Sequence, residues 1–425
     1  MLIQKICLHN FLSYGNLPPE TAEIELRPLN VVIGPNGSGK SNLIEAFSLL
    51  KHAPGQIQEP IRKSGGIHSW LFKKGEKSSP EASVSVAVQS PEDGSGEVNT
   101  LHYRLSFTGF ENRFSVSNEM IYYEKFSIPN DDGGYRYIKK NSAEAQNNIH
   151  TSPVTLPVYT NEYGKALIKE YFEFPNSPTR SEGLPTELDV KSDKSVLAQV
   201  RTPWYCPEIN YLAEQFENIA LYQDWVFGGK NPARGPQKAD LPSLWLEPDG
   251  SNLALVLNRI RENAQAKQRL LEALQQLYEG IYDYGVSLTG GYAEAFLHEG
   301  DKKIPAVRLS DGTLRYLGLL TVLLNPTPPP LVCIEEPELG LHPDILPSLA
   351  ELLKDASTRM QLIVTTHSDI LVDALSDTPE AVLVCEKTQE GSVLRRLDPQ
   401  ELKPWLEKYH LGELWSRGHI GGNRW

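Results

Sequence analysis

Cysteine is scarce: four in 425 residues, Cys7, Cys206, Cys333 and Cys385, all far apart. That excludes a disulfide framework, and without close Cys or His pairing no zinc site is indicated. A reducing, cytoplasmic setting is the expectation. No window approaches 18 uninterrupted apolar residues, so no membrane span is expected. The opening MLIQKICLHNFLSYG alternates apolar and polar side chains as a strand does. It lacks the apolar block and cleavage site of a signal peptide. Internal repeats and long low-complexity tracts are missing too. So is excess positive charge: 54 acidic residues against 41 basic leave a formal net charge of −13. A surface basic all over, as a constitutive nucleic-acid coat needs, is excluded. One local basic stretch remains, residues 62–77 (RKSGGIHSWLFKKGEK), with Arg62, Lys63, Lys73, Lys74 and Lys77 around Trp70 and Phe72. Such a stretch is more often a solvated loop with a buried aromatic than a DNA contact.

What is there has the composition of a globular chain, 40% hydrophobic and 22% charged, long enough for two or three folding units. Residues 2–8 and 22–27 read as strands, and LNVVI (29–33) as a short buried strand followed by a Gly-rich turn and a helix from about Ser41 to Leu50. Residues 82–88 and 101–107 alternate strongly and predict an antiparallel pair. From about 109 to 200 the pattern weakens, and clusters such as PNDDGG and FPNSPTRSEGLP predict an irregular insertion. Helical signals return at 192–200, 208–222 and 251–283, the last too short and uneven for a coiled-coil arm. After the loop NPTPPP (325–330), LVCIEE (331–336), helix 344–355, strand 362–366, helix 369–375 and strand 381–385 alternate as α/β units do.

Chemistry concentrates at four places. GPNGSGKS, Gly34 to Ser41, matches G-x-x-x-x-G-K-[ST] between a buried strand and a helix, the context that motif requires. Gly34, Pro35, Asn36, Gly37, Ser38 and Gly39 form the turn, whose glycines would let the backbone amides (Pro35 has no N–H) point inward around a phosphate. Lys40 would neutralise the β and γ phosphates, and Ser41 would ligate Mg²⁺. Glu335 and Glu336 end an apolar strand, where one carboxylate holds metal-bound water and the next polarises the attacking water. Glu335 stands where Asp is usual; its longer side chain still reaches. His367 directly follows the strand LIVTT, where ligands bind parallel sheets. VRLSDGTLRY (307–316) is a helix start capped by Ser310, with Leu314, Leu317 and Leu320 on one face. His342 has no second ligand at metal spacing.

With Gly34–Ser41, LSDGT, IEEPE and TTHS in order, the chain resembles the ABC-type ATPase heads of the RecF/SMC/OLD-like group. Within that group it looks most like compact predicted AAA-type ATPases without a long coiled coil. Residues 246–257 and the closing ELWSRGHIGGNRW are also similar to segments of that subset. The resemblance implies an α/β P-loop fold of ABC-ATPase type, with a mixed central sheet, an antiparallel β subdomain and a helical or irregular insertion. It implies ATP and Mg²⁺ as ligands and Glu336 as general base. His367 would contact the γ-phosphate, and Ser310, Asp311 and Gly312 would contact ATP held by another subunit. Asp311 departs from a commoner Gly and adds negative charge near a triphosphate, so its side chain must point away or meet the partner. A Q-loop glutamine is not assigned among Gln56, Gln58 and Gln223.

The expected divisions are an ATPase lobe at 1–110, an irregular insertion at 111–200, a helical lobe at 201–300 and a second ATPase lobe at 301–425. The long interval from Gly34 to Leu309 is unlike a transporter cassette and holds no SMC-length coiled coil. The stretch after His367 is too short for a Toprim nuclease domain, so a nuclease would be a separate chain. The expectation is an ATP-hydrolysing head that forms a homodimer or higher even oligomer, with an effector chain or DNA as further partners and no membrane.

Overall fold

A computed structural model of the chain describes residues 2–75, 77–92, 98–129, 135–138, 152–162, 165–168, 171–172, 181–182, 186–201, 207–223, 225 and 227–422. Cys206, most of the PNDDGG and FPNSPTRSEGLP clusters, and the last three residues of ELWSRGHIGGNRW lie outside them. The chain forms two compact units. One comprises Met1–Leu26, Glu45–Asn218 and Lys387–Val393, the other Arg27–Ile44, Ile219–Glu386 and Leu394–Trp425.

The first unit is built on a nine-stranded antiparallel sheet. Its order is Thr186–Asp189, Lys165–Ile168, Ser152–Glu162, Arg113–Pro129, Val98–Phe110, Glu81–Glu92, Ile3–His9, Glu23–Glu25, with Tyr135–Ile138 also against Arg113–Pro129. The expected pair is there, with Val84 opposite Leu105 and Val86 opposite Tyr103. All four side chains are buried, so period-2 alternation marks the inward face. Where the weakened pattern predicted irregular chain, Arg113–Pro129 and Ser152–Glu162 instead form a long ladder, Ser152 opposite Ser127 through Glu162 opposite Asn118. Pro153 and Pro157 interrupt the alternation of Val154, Leu156 and Val158, and proline ordinarily argues against a paired strand. The ladder takes up Pro157 at a register shift between Pro157 and Tyr159.

The second unit holds a six-stranded sheet in the order Ile219–Tyr222, Leu331–Glu335, Gln361–Thr365, Leu29–Ile33, Val382–Thr388, Gly391–Arg396. The first five are parallel to their neighbours. Leu29–Ile33, Gln361–Thr365 and Ile219–Tyr222 are buried along their whole length, as the apolar runs predict for strands covered on both faces. Ile219–Tyr222 corrects the helix expected over 208–222. That helix stops at Glu217, and four residues of IALY are too few to announce a strand by period. The signal over 251–283 likewise divides. Leu253–Glu262 ends at Asn263, whose side chain accepts from Ala266 N (2.9 Å) to cap Ala264–Leu277, and a strand starts at Ile281. Ile281–Thr289, Tyr292–Glu299, Lys302–Pro305 and Gln237–Lys238 form a four-stranded antiparallel sheet in place of a purely helical segment.

The helix Asp311–Leu323 is buried on every side from Leu314 onward. A helix apolar all round belongs in the middle of a core, and this one packs with the helices Leu253–Glu262 and Ala264–Leu277. Among the described residues no helix is long and apolar enough to cross a membrane.

The first unit also buries a carboxylate. Glu119 accepts from Tyr103 Oη (2.7 Å), Ser195 Oγ (2.5 Å) and Val196 N (2.8 Å), tying the helix start at Ser195 to the sheet. Burial pushes the carboxyl up to about 7, against the pull of its donors. A carboxyl raised above its unfolded value stabilises the fold fully only below that unfolded value. The contribution is lost as pH rises towards the folded one. The span is on the order of 3 kcal/mol. Glu119→Gln should therefore flatten the fall in unfolding free energy between pH 5 and pH 8, measured by urea denaturation. An unchanged slope assigns the pH dependence elsewhere.

Candidate active site

In a parallel sheet all strands end on one edge, and loops leaving that edge meet. Three neighbouring strands, Leu331–Glu335, Gln361–Thr365 and Leu29–Ile33, deliver the acid pair, His367 and the Gly-rich loop to it. The loop turns through left-handed Gly34 (φ 149°), Gly37 (φ 75°) and Gly39 (φ 116°) into the helix Lys40–His52. Gly34 is required: a Cβ there would stand 2.2 Å from the carbonyl oxygen of Cys385. Pro35, Asn36 and Ser38 complete the turn, with Ser38 O accepting from the Cys385 thiol at 3.3 Å.

Lys40 Nζ donates to the carbonyls of Gly34 (2.8 Å) and Pro35 (3.1 Å), so the ammonium lies inside the loop it closes. Burial lowers its pKa, while Cys385, Glu336, Glu335 and Glu338 hold it up. Ser41 Oγ donates to the Glu335 carboxylate, joining the two predicted Mg²⁺-binding oxygens although they lie 294 positions apart. Hydroxyl and carboxylate are the oxygen donors that Mg²⁺ takes, usually with one or two protein carboxylates and the rest from phosphate and water. The pair fits that ion. Among the described residues no group of three or more His, Cys, Asp or Glu gathers as an all-protein metal cage.

Glu336 is held in a left-handed conformation, φ 46°, a position costly for a residue with a Cβ. Hydrogen bonds hold it at both ends, one of them from Leu339 N to its carbonyl (3.2 Å). Its N–H donates to Thr365 O (3.0 Å), and its carbonyl accepts from Arg315 Nη2 (2.8 Å). Its carboxylate lies 3.5 Å from His367 Nε2, both side chains about one-third exposed. Arg315 is a buried cation whose Nη1 donates to Trp225 O (2.7 Å). Burial lowers its pKa against the pull of Glu338 and Glu336.

Sequence reasoning missed three residues here. Glu338 Oε1 accepts from Thr366 Oγ1 (2.7 Å) and from His367 N (2.8 Å), fixing the backbone that carries the histidine. Its Oε2 is buried with no hydrogen-bond partner among the described residues. Arg315 carried one signal, a charge within the apolar helix LRYLGLLTVLL. Arg234 carried none beyond the Asn231–Pro232 helix start just before it.

Arg234 organises the fourth motif. It donates to Phe227 O, Gly228 O and Leu309 O (2.7 Å for the last), and it pairs with Asp311. The extra charge at Asp311 is thus neutralised within its own chain, which answers where that carboxylate points. Ser310 Oγ caps the helix by accepting from Thr313 N (3.0 Å), and both Ser310 and Asp311 are exposed. Gly312 lies against the loop after the acid pair, where a Cβ would stand 2.6 Å from Gly340 O. In the basic stretch 62–77, three of the cations have partners within the first unit. Trp70 is fully buried, Arg62 donates to Gln58, and Lys63 and Lys74 pair with Glu59 and Glu390. His342 caps a short turn and faces Asp344.

The fold is that of a P-loop head of the ABC-ATPase type, as in SMC heads. A family model described as "AAA domain" matches residues 5–281. A second, "AAA domain, putative AbiEii toxin, Type IV TA system", matches 227–373. The chain belongs to the AAA-domain family of the first model. The fold is similar to an SMC head crystallised with the C-terminal winged-helix domain of ScpA, with TM-score 0.52 and 15% identity over 94% of this chain and 99% of that one. The chain is 31% identical over 109 residues to the energy-coupling factor transporter ATP-binding protein EcfA2 of Lactobacillus delbrueckii subsp. bulgaricus, 25% of this chain and 35% of that protein. It is 20% identical over 409 residues to the Septu protein PtuA of Bacillus mycoides, 94% of this chain and 43% of that protein. The chain spans less than half the length of these curated relatives.

Gly312→Ala should destabilise the second unit by about 1–3 kcal/mol, since the Gly340 backbone must give way. Denaturant titration checks this. A neutral change means that the 340 loop yields freely.

Proposed function

We propose that the protein is an ATP-hydrolysing head that closes head to tail on a second copy of itself and reopens after turnover. The carrying observation is that one chain holds a phosphate loop, an acid pair and a histidine on adjacent strand ends, together with an exposed capped helix start. The loop Gly34–Gly39 wraps the phosphates of ATP, and Lys40 neutralises them. Ser41 and Glu335 hold Mg²⁺, which when bound draws charge from the phosphate oxygens. Glu336 takes a proton from the water whose oxygen attacks the γ-phosphorus, and the bond to the β–γ bridging oxygen breaks with its electron pair leaving on ADP. His367, held by Glu338, touches the γ-phosphate. Ser310 and the first amides of its helix, including that of Gly312, meet the γ-phosphate of the second copy's ATP, a site suited to an anion. Asp311 faces Arg234 and leaves that amide cluster free of a bare carboxylate.

The output of the cycle is a switch in a DNA-related process, repair or anti-phage defence, acting on a separate effector chain. The alignment with the Septu protein PtuA along 94% of the chain supports the defence setting, and the net charge of −13 weighs against broad DNA binding. In an alternative form, ATP is only a conformational signal, and the head holds a nuclease partner inactive.

Glu336→Gln should abolish phosphate release and accumulate an ATP-dependent dimer in light scattering. Wild-type turnover in this variant removes Glu336 as base. Ser310→Arg should keep ATP binding but lose both dimer and turnover; surviving turnover reduces Ser310 to a helix cap.

A further inference from the structure

We propose that the segment Leu411–Gly422, part of the GHIGG stretch and the helix before it, is a working element of the nucleotide site. It clamps the base of the phosphate loop from outside. The inference rests on the ATP assignment of Gly34–Ser41.

The helix start is held by Ser376 and Asp373, and the end of the segment by two outside bonds and one internal one. Arg395 Nη2 donates to Ile420 O (2.8 Å), Gly422 N donates to Glu386 Oε1 (3.0 Å), and the indole of Trp415 donates to Gly422 O (3.0 Å). Gly418, Gly421 and Gly422 are left-handed, at φ 81°, 78° and 71°. The conformation brings Gly422 so close that a Cβ would stand 2.7 Å from Val384 Cγ1 and 3.5 Å from Gly34 Cα. Gly34 also meets the carbonyl of Cys385, whose thiol donates to Ser38 O. The first residue of the phosphate loop therefore lies within contact range of both the strand Val382–Thr388 and Gly422.

A phosphate loop grips its anion with backbone amides, so its affinity depends on the direction in which those amides are held. Gly34 sets the first of them. Loosening Gly422 frees Gly34 to rotate and spreads the amides over orientations that do not converge. Gly422 and Trp415 are thus positioning residues that act through Gly34 and touch neither ATP nor water.

The experiment is steady-state ATP hydrolysis by the full chain with Mg²⁺, comparing wild type, Trp415→Phe and Arg395→Gln. Each change removes one hydrogen bond from the clamp and keeps the bulk of the side chain. KM for ATP should rise about three- to tenfold, the worth of one hydrogen bond, while kcat holds. KM unchanged in both variants, or kcat lost at constant KM, overturns the inference. If Trp415→Phe lowers the melting temperature, Arg395→Gln decides, because that side chain is exposed and its loss leaves the core intact. A wild-type chain that neither binds nor hydrolyses ATP overturns the ATP assignment instead.

Discussion

Glu336 stands in a backbone region that residues with a Cβ avoid, and the rest of the site is arranged around keeping it there. Its amide extends the ladder to Thr365, and its carbonyl is taken by Arg315 from the middle of a buried helix. A strained position persists only where its surroundings over-determine it. Here the surroundings are a parallel sheet and the core helix behind it. The strain turns the carboxylate out of the strand direction and beside His367. Were Glu336 to relax to extended geometry, the strand would simply continue.

Arg315 also joins two motifs that are separate in sequence. It lies on the helix that begins at Ser310, four positions beyond Asp311, and its guanidinium reaches the turn after Glu335. The exposed helix start and the acid pair therefore share one buried cation, and Gly312 against Gly340 brings the same two segments into backbone contact.

Much of the second unit was legible because its strands are covered on both faces. LNVVI, LVCIEE and LIVTT are continuous apolar runs, and each ends in a motif whose residue types state their chemistry. The first unit was harder. Arg113–Pro129 and Ser152–Glu162 are long strands held by partners distant in sequence, and Pro153 and Pro157 hide the second strand from any local rule. Ile219–Tyr222 vanished into a preceding helix because four residues carry no period. Glu338 and Arg234 escaped notice for a related reason: their functions lie in hydrogen bonds to Thr366, His367, Leu309 and Asp311, and no spacing along the chain encodes those bonds.

The sequence by itself determined the candidate groups and their order, because a phosphate loop needs glycines at fixed positions and an acid pair needs an apolar strand before it. Only the tertiary structure decided how those groups are held. Whether Asp311 is a bare charge or a neutralised one depends on Arg234, 77 residues away in the chain. The angle of Glu336 depends on Arg315 and Thr365, and the seat of Gly34 on Cys385 and Gly422. Each of these is a contact between residues far apart in the chain, and such contacts exist only once the parallel sheet has set its strand order.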